Sequence, residues 1–193
     1  MLNQPTMKAL FYIYLCLIIL SSCTKKDVDP VTGFTKYVIK QGRHSSDINY
    51  EKVSLTELRF LVKFDSTAIY QTKLPGNQYD INKLYGFSDN DSEHQQYSAR
   101  FGWRWSDNAL RLFAYNYNHG IRDSANLGVI NIGIEYNLSI KVTPQHYIFT
   151  LNSETYTLNR AATTPVAIGY KLTPYFGGEE TAPHDINIFI KEY

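Results

Sequence analysis

Between Ser98 and Gly120 the chain reads SARFGWRWSDNALRLFAYNYNHG, which sets three Arg among two Trp, two Phe, two Tyr and one His. These residue types suit one kind of recognition. Aromatic rings stack on the apolar faces of sugar rings, and guanidinium groups donate forked hydrogen bonds to hydroxyls or carboxylates. Arg100, Arg104, Phe113, Tyr115, Tyr117 and His119 are therefore the candidate ligand-binding residues, with carbohydrate as the ligand class. The competing reading is packing alone, with Arg stems lying over aromatic rings beneath a covering loop.

The spacing says what must position them. From Tyr97 to Trp105 the odd positions are Tyr, Ala, Phe, Trp and Trp, and the even positions are Ser, Arg, Gly and Arg. Such alternation marks a half-buried strand. A polar cluster, Ser106-Asp107-Asn108, separates it from a second run, so the pair reads as a β-hairpin. With Asp107-Asn108 as a two-residue loop, Trp105 opposes Leu110, Trp103 opposes Leu112 and Phe101 opposes Ala114. That register makes one face wholly apolar, and a one-residue slip would mix the faces. The other face carries Arg104 with Arg111, Gly102 with Phe113, Arg100 with Tyr115 and Ser98 with Tyr117. Arg104 beside Arg111 is unfavourable unless an acid or a ligand lies between them.

The rest of the chain supplies the other layers. Alternating runs recur at Phe34–Lys40, Leu55–Asp65, Ile134–Val142, His146–Asn152, Thr155–Asn159 and Ile186–Ile190, separated by turn residues. No long stretch carries a helical stripe. About ten short strands with frequent turns indicate an all-β protein, a jelly-roll β-sandwich of two antiparallel sheets. The expected organisation is a leader at 1–22, a polar tether at 23–33 and one sandwich domain at 34–193.

The leader is read from Lys8, the apolar run Ala9–Leu20 and the small residues before Cys23. That run is too short to span a bilayer and has the form of a secretory signal. Leu20-Ser21-Ser22-Cys23 resembles a bacterial lipobox, which implies lipidation at Cys23 and anchorage to the outer membrane or cell surface. The only Cys are Cys16 and Cys23, so the domain relies on its core rather than on disulfides. Beyond the leader 18 basic residues balance 18 acidic ones, which gives no field for nucleic acid.

Three further groupings bear on chemistry. Asp89-Asn90-Asp91-Ser92-Glu93-His94 alternates oxygen ligands in a way that suits calcium. An EF-hand loop needs Gly where His94 stands, so the segment is expected to be a solvated acidic loop, and no cofactor is expected, with calcium as the alternative. His184 and Asp185 are neighbours on a strand and point to opposite faces, so His184 is expected to bond a loop backbone. Lys171 to Gly178 is expected to form a tight loop bordering the binding face.

Tyr136-Asn137-Leu138-Ser139-Ile140-Lys141-Val142, followed by Tyr147-Ile148-Phe149-Thr150-Leu151-Asn152, resembles a recurring block of concanavalin A-like jelly rolls. The closing stretch Tyr170–Ile190 is similar to the last strands of such sandwiches in exported lipoproteins associated with polysaccharide use. The resemblance implies binding or cleavage of polysaccharide. Alginate-lyase-like members carry Arg-(Ser/Thr)-Glu-Leu-Arg, whereas this chain has Leu55-Thr56-Glu57-Leu58-Arg59. Their Gln-x-His is absent, since Gln145-His146 lacks the spacer, and Tyr175-Phe176 lacks the flanking Lys and Asn. Glu179-Glu180 does not offer two carboxylates across a glycosidic bond. The expectation is a lipid-anchored, non-catalytic module that binds a polysaccharide or oligosaccharide. A divergent polysaccharide lyase or glycoside hydrolase is the alternative, in which Tyr115, Tyr117, His119 or His184 would be the base. An interaction subunit of an envelope complex is the second alternative.

Overall fold

The computed structural model describes residues 27–46, 51–161 and 163–193. The signal segment and Cys23 lie outside them, as does the first part of the tether. Among the described residues twelve strands form: β1 (Thr35–Ile39), β2 (Lys52–Leu55), β3 (Glu57–Phe64), β4 (Asn82–Ser88), β5 (Tyr97–Ser106), β6 (Ala109–Asn118), β7 (Ile121–Ile130), β8 (Tyr136–Val142), β9 (His146–Leu151), β10 (Glu154–Asn159), β11 (Ala167–Leu172) and β12 (Ile186–Glu192). They build two six-stranded antiparallel sheets, β1-β12-β3-β8-β9-β10 and β2-β11-β4-β5-β6-β7. Two 3-10 turns, Ser66–Ala68 and Pro75–Tyr79, are the only helical elements among the described residues. The fold is an all-β jelly-roll sandwich.

Period-two alternation explains the core. Phe60, Val62 and Phe64 from β3, Leu138 and Ile140 from β8, and Tyr147 and Phe149 from β9 point inward. They meet Phe101, Trp103, Leu112 and Ala114 from the facing sheet. Rings interlock edge to face, with Phe60–Phe101 at 5.8 Å and Phe101–Phe149 at 5.2 Å between centroids. Such pairs add to the area they bury, as quadrupoles favour this geometry.

The β5–β6 hairpin has the register read from its faces: Trp105 opposes Leu110, Trp103 opposes Leu112 and Arg100 opposes Tyr115. Asp107 and Asn108 take φ of 53° and 55°, the left-handed pair that a two-residue hairpin turn needs to match strand twist. The two arginines at Arg104 and Arg111 are separated by their partners. Arg111 lies 3.6 Å from Asp107, while Arg104 donates to the Tyr79 carbonyl at 2.7 Å.

The acidic segment departs from its expected solvation at one residue: Asp91 and Glu93 are exposed, but Asp89 is fully buried. Its Oδ2 accepts from Arg160 Nε and from the Tyr147 hydroxyl, both at 2.6 Å, and its Oδ1 accepts from the backbone of Asn90 and Ile168. The carboxylate of that acidic run therefore ties the two sheets together and is spent on protein donors instead of calcium. His184 bonds a loop backbone as expected, its Nε2 lying 2.9 Å from the Thr67 carbonyl.

Candidate anion-binding cleft

The outer face of the second sheet holds a cleft of about 600 Å³. Ser45, Lys83, His94, Arg100, Tyr117 and Tyr170 line it, and the loop Thr173–Tyr175 borders it. That loop runs on from β11, and Tyr175 exchanges both backbone hydrogen bonds with Lys83, at 2.8 and 2.9 Å.

Arg100 is the central feature. It is only 6% exposed, and its Nε is buried without a hydrogen-bond partner. The guanidinium makes no ion pair among the described residues. Burial pushes its pKa down to about 10, against the pull of the nearby phenols of Tyr115, Tyr117, Tyr170 and Tyr175. The room for it comes from Gly86, opposite it on β4, where a Cβ would lie 2.3 Å from the Arg100 Cβ. A buried cation without a counter-ion is costly, which makes it a strong receptor for an incoming anion.

Lys83 stands beside it. Between Lys83 and Gly86 the ladder to β5 slips by one residue. This bulge sends both Leu84 and Tyr85 into the core and keeps Lys83 on the cleft face. Its Nζ donates to the Ile81 carbonyl at 2.6 Å and sits 4.8 Å over the Tyr115 ring. Burial first, then the charges of Arg100 and Arg122, push its pKa down to about 8. His94 also lines the cleft; its Nδ1 lies 3.0 Å from the Tyr170 hydroxyl, and burial followed by Arg100 lowers the imidazole pKa. At the rim Tyr175 is 37% exposed and stacks on His44 at 5.2 Å.

Two of the six residues expected here, Arg100 and Tyr117, line the cleft. Tyr115 lies beneath it and is 1% exposed, so it is a buried support rather than a surface ring. Its rim neighbour Tyr117 meets it edge-on at 5.8 Å. Arg104 and Phe113 belong to packing: Arg104 lies 4.8 Å from the Phe113 ring and 5.4 Å from the Tyr79 ring, under the segment that follows Pro75–Tyr79. The physical reason is Gly102, whose missing side chain lets Ile81 settle onto that part of the face. His119 is turned away at the hairpin end, with Nδ1 2.6 Å from the Tyr97 hydroxyl. Lys83, His94 and Tyr170 were not foreseen. A Lys at the start of a strand whose alternation breaks at Leu84-Tyr85 was the available signal for Lys83. Nothing local marks His94 or Tyr170.

The lyase-like Glu57 and Arg59 lie on the other sheet, where they pair with each other at 2.8 Å on its outer face. Their sequence likeness therefore carries no site. No family model matches this chain, and no curated protein does. Solved structures do. The alginate lyase AlyC3 is similar at 10% identity and a TM-score of 0.59, over 86% of this chain and 76% of that one. The catalytic domain of a laminarinase from Thermotoga petrophila RKU-1 is similar at 10% identity and a TM-score of 0.50, over 83% and 76%. A family 7 alginate lyase, A1-II', in complex with product, is similar at 12% identity and a TM-score of 0.50, over 84% and 81%. At such identities the likeness is one of fold, and activity must be argued from the site.

Proposed function

We propose that the cleft binds an acidic polysaccharide, with an acid group of the sugar seated on Arg100. The observation that carries this reading is the buried, unpaired guanidinium facing a cleft edged by Tyr117 and Tyr175. A carboxylate there gains charge-assisted hydrogen bonds from a guanidinium that is itself almost wholly buried. The rings at the rim offer stacking surface to neighbouring sugars. Lipidation at Cys23 would hold this domain at the outer membrane or cell surface, where polysaccharide is met. The test is titration of the domain with polyuronates and with neutral glucans, beside Arg100→Met. Binding of the acidic polymers alone, weakened in the variant by about tenfold to a hundredfold, is the expected result for a lost bond to a charged group. Equal binding of neutral glucans, or none of any polymer, overturns it.

A second reading is favoured by the His94–Tyr170 pair. A neutral imidazole bonded to a phenol, next to a cation that holds a carboxylate, has the parts for removing the proton beside that carboxylate. Elimination would then leave a 4,5-unsaturated uronate. Ultraviolet absorbance rising on incubation with polyuronate, and lost in His94→Gln, would establish it. Binding with no absorbance would leave a binding module alone.

A further inference from the structure

We propose that Lys83 is a carbonyl-capturing amine, taking a ligand that carries a carbonyl group and a carboxylate, with the carboxylate held by Arg100. The ligand is a 2-oxo acid or the open-chain end of an acidic sugar. The inference rests on the acid-binding reading of Arg100 and extends it to a second, covalent role for the cleft.

The position of the amine is the first ground. Lys83 makes no ion pair among the described residues, and its one hydrogen bond goes to the neutral Ile81 carbonyl. Most structural lysines in proteins have a carboxylate or bulk water instead. The chain closes round it: a Cβ at Gly177 would lie 2.5 Å from the Ile81 carbonyl oxygen to which the amine is bonded and 2.8 Å from Nζ itself, so glycine there leaves the pair room. The Tyr115 ring lies below it. The charged groups it feels are Arg100, Arg122 and, with opposite sign, Asp80.

Geometry supplies the second ground. Lys83 opposes Gly102 on β5, two residues along from Arg100. One strand across and two residues along is a Cα separation of about 8 Å, from strand spacings of roughly 4.8 Å and 3.3 Å per residue. Both long side chains reach into one cleft open to solvent, so one small molecule can touch both. An amine desolvated beside other cations keeps a larger neutral fraction and becomes a nucleophile.

The step balances. The Nζ lone pair attacks the carbonyl carbon and the C=O electron pair moves to oxygen. That oxygen leaves as water with the two protons that Nζ gives up, and an imine remains. No oxidant or reductant is needed. With the value near 8 in place of 10.5, the free-amine fraction at neutral pH rises about 300-fold. Lower intrinsic nucleophilicity offsets part of this, which leaves about tenfold or more in rate.

The test is reductive trapping on the whole domain. Pyruvate or glucuronate is added with cyanoborohydride at neutral pH, and modified lysines are mapped by peptide mass. Lys83 should be labelled about tenfold faster than the exposed Lys52, Lys73 and Lys141. Pyruvate alone labelling Lys83 points to a small oxo acid, and glucuronate labelling it points to a sugar end. Lys83→Arg should lose the adduct, and Arg100→Met should slow pyruvate but not the neutral ketone hydroxyacetone. Labelling of Lys83 no faster than the exposed lysines overturns the proposal, even where polyuronate still binds. Hydroxyacetone labelling wild-type Lys83 as fast as pyruvate overturns the part given to Arg100. Lys83 labelling without any polyuronate binding upholds the amine chemistry and overturns the polysaccharide reading beneath it.

Discussion

Two buried arginines in this molecule face opposite circumstances. Arg160, 4% exposed, is saturated: it holds both oxygens of Asp89 and donates to the carbonyls of Thr143, Thr164 and Val166. Arg100, nearly as buried, has no carboxylate partner among the described residues and is surrounded by the phenols of Tyr115, Tyr117, Tyr170 and Tyr175 and by the cation of Lys83. The first charge is part of the fold, since its cost of desolvation is met by fixed partners. The second is left uncompensated, as a ligand site is before its ligand arrives. Burial alone does not separate structural from functional charge; the partner list does.

The comparison can be broken by substitution. Asp89→Ala should give the largest effect, a loss of about 3–5 kcal/mol, because it strands Arg160 in the interior. Chemical denaturation would measure it, and a loss well under 1 kcal/mol would mean that Arg160 finds water. Trp103→Ala, in the inter-sheet core, should cost a similar amount of about 3–5 kcal/mol, but with sugar binding intact once the protein is folded. Arg100→Met should do the reverse of Asp89→Ala. Its denaturation midpoint should rise, by on the order of 1 kcal/mol, since an unpaired buried charge is replaced by an apolar chain. A fall would show that Arg100 has a structural partner and is a second Arg160.

The smallest effect is one of pH. The Lys83 pKa is lowered on folding, so between about 8 and its ordinary 10.5 the unfolded chain binds more protons than the folded one. Stability from this group therefore rises with pH across that window. Lys83→Met should be more stable than wild type below pH 8, and the gap in Tm should close as pH climbs toward 10. A gap that stays constant would mean that Lys83 titrates normally. Buried Tyr70, whose pKa is pushed up to about 12 chiefly by burial, acts in the opposite sense above pH 10, so the difference between variants is the quantity to follow.

Much of the scaffold was legible in the chain. The β5–β6 register could be read because three apolar pairs would all be lost by a slip, and Arg100 and Tyr117 then fell on the outer face together. The same reasoning could not tell which part of that face stays open. Arg104 and Phe113 have the same periodicity as Arg100 and Tyr115, yet Ile81 and Tyr79 cover them. β7 went unread, because IRDSANLGVI at an exposed sheet edge has little need of an apolar side. Lys83 was hidden by a bulge, where the period of two fails by design of the ladder.

The sequence by itself determined the class of fold, the hairpin and the existence of a cationic, aromatic outer face. Those properties follow from local alternation and from the cost of burying the wrong side of a strand. Tertiary structure decided the rest. Asp89 and Arg160 are 71 residues apart and become one buried pair. His94 and Tyr170 are 76 apart and become one wall of the cleft. Such contacts depend on which strands lie side by side and on where loops come to rest, and neither is written in the spacing of neighbouring residues.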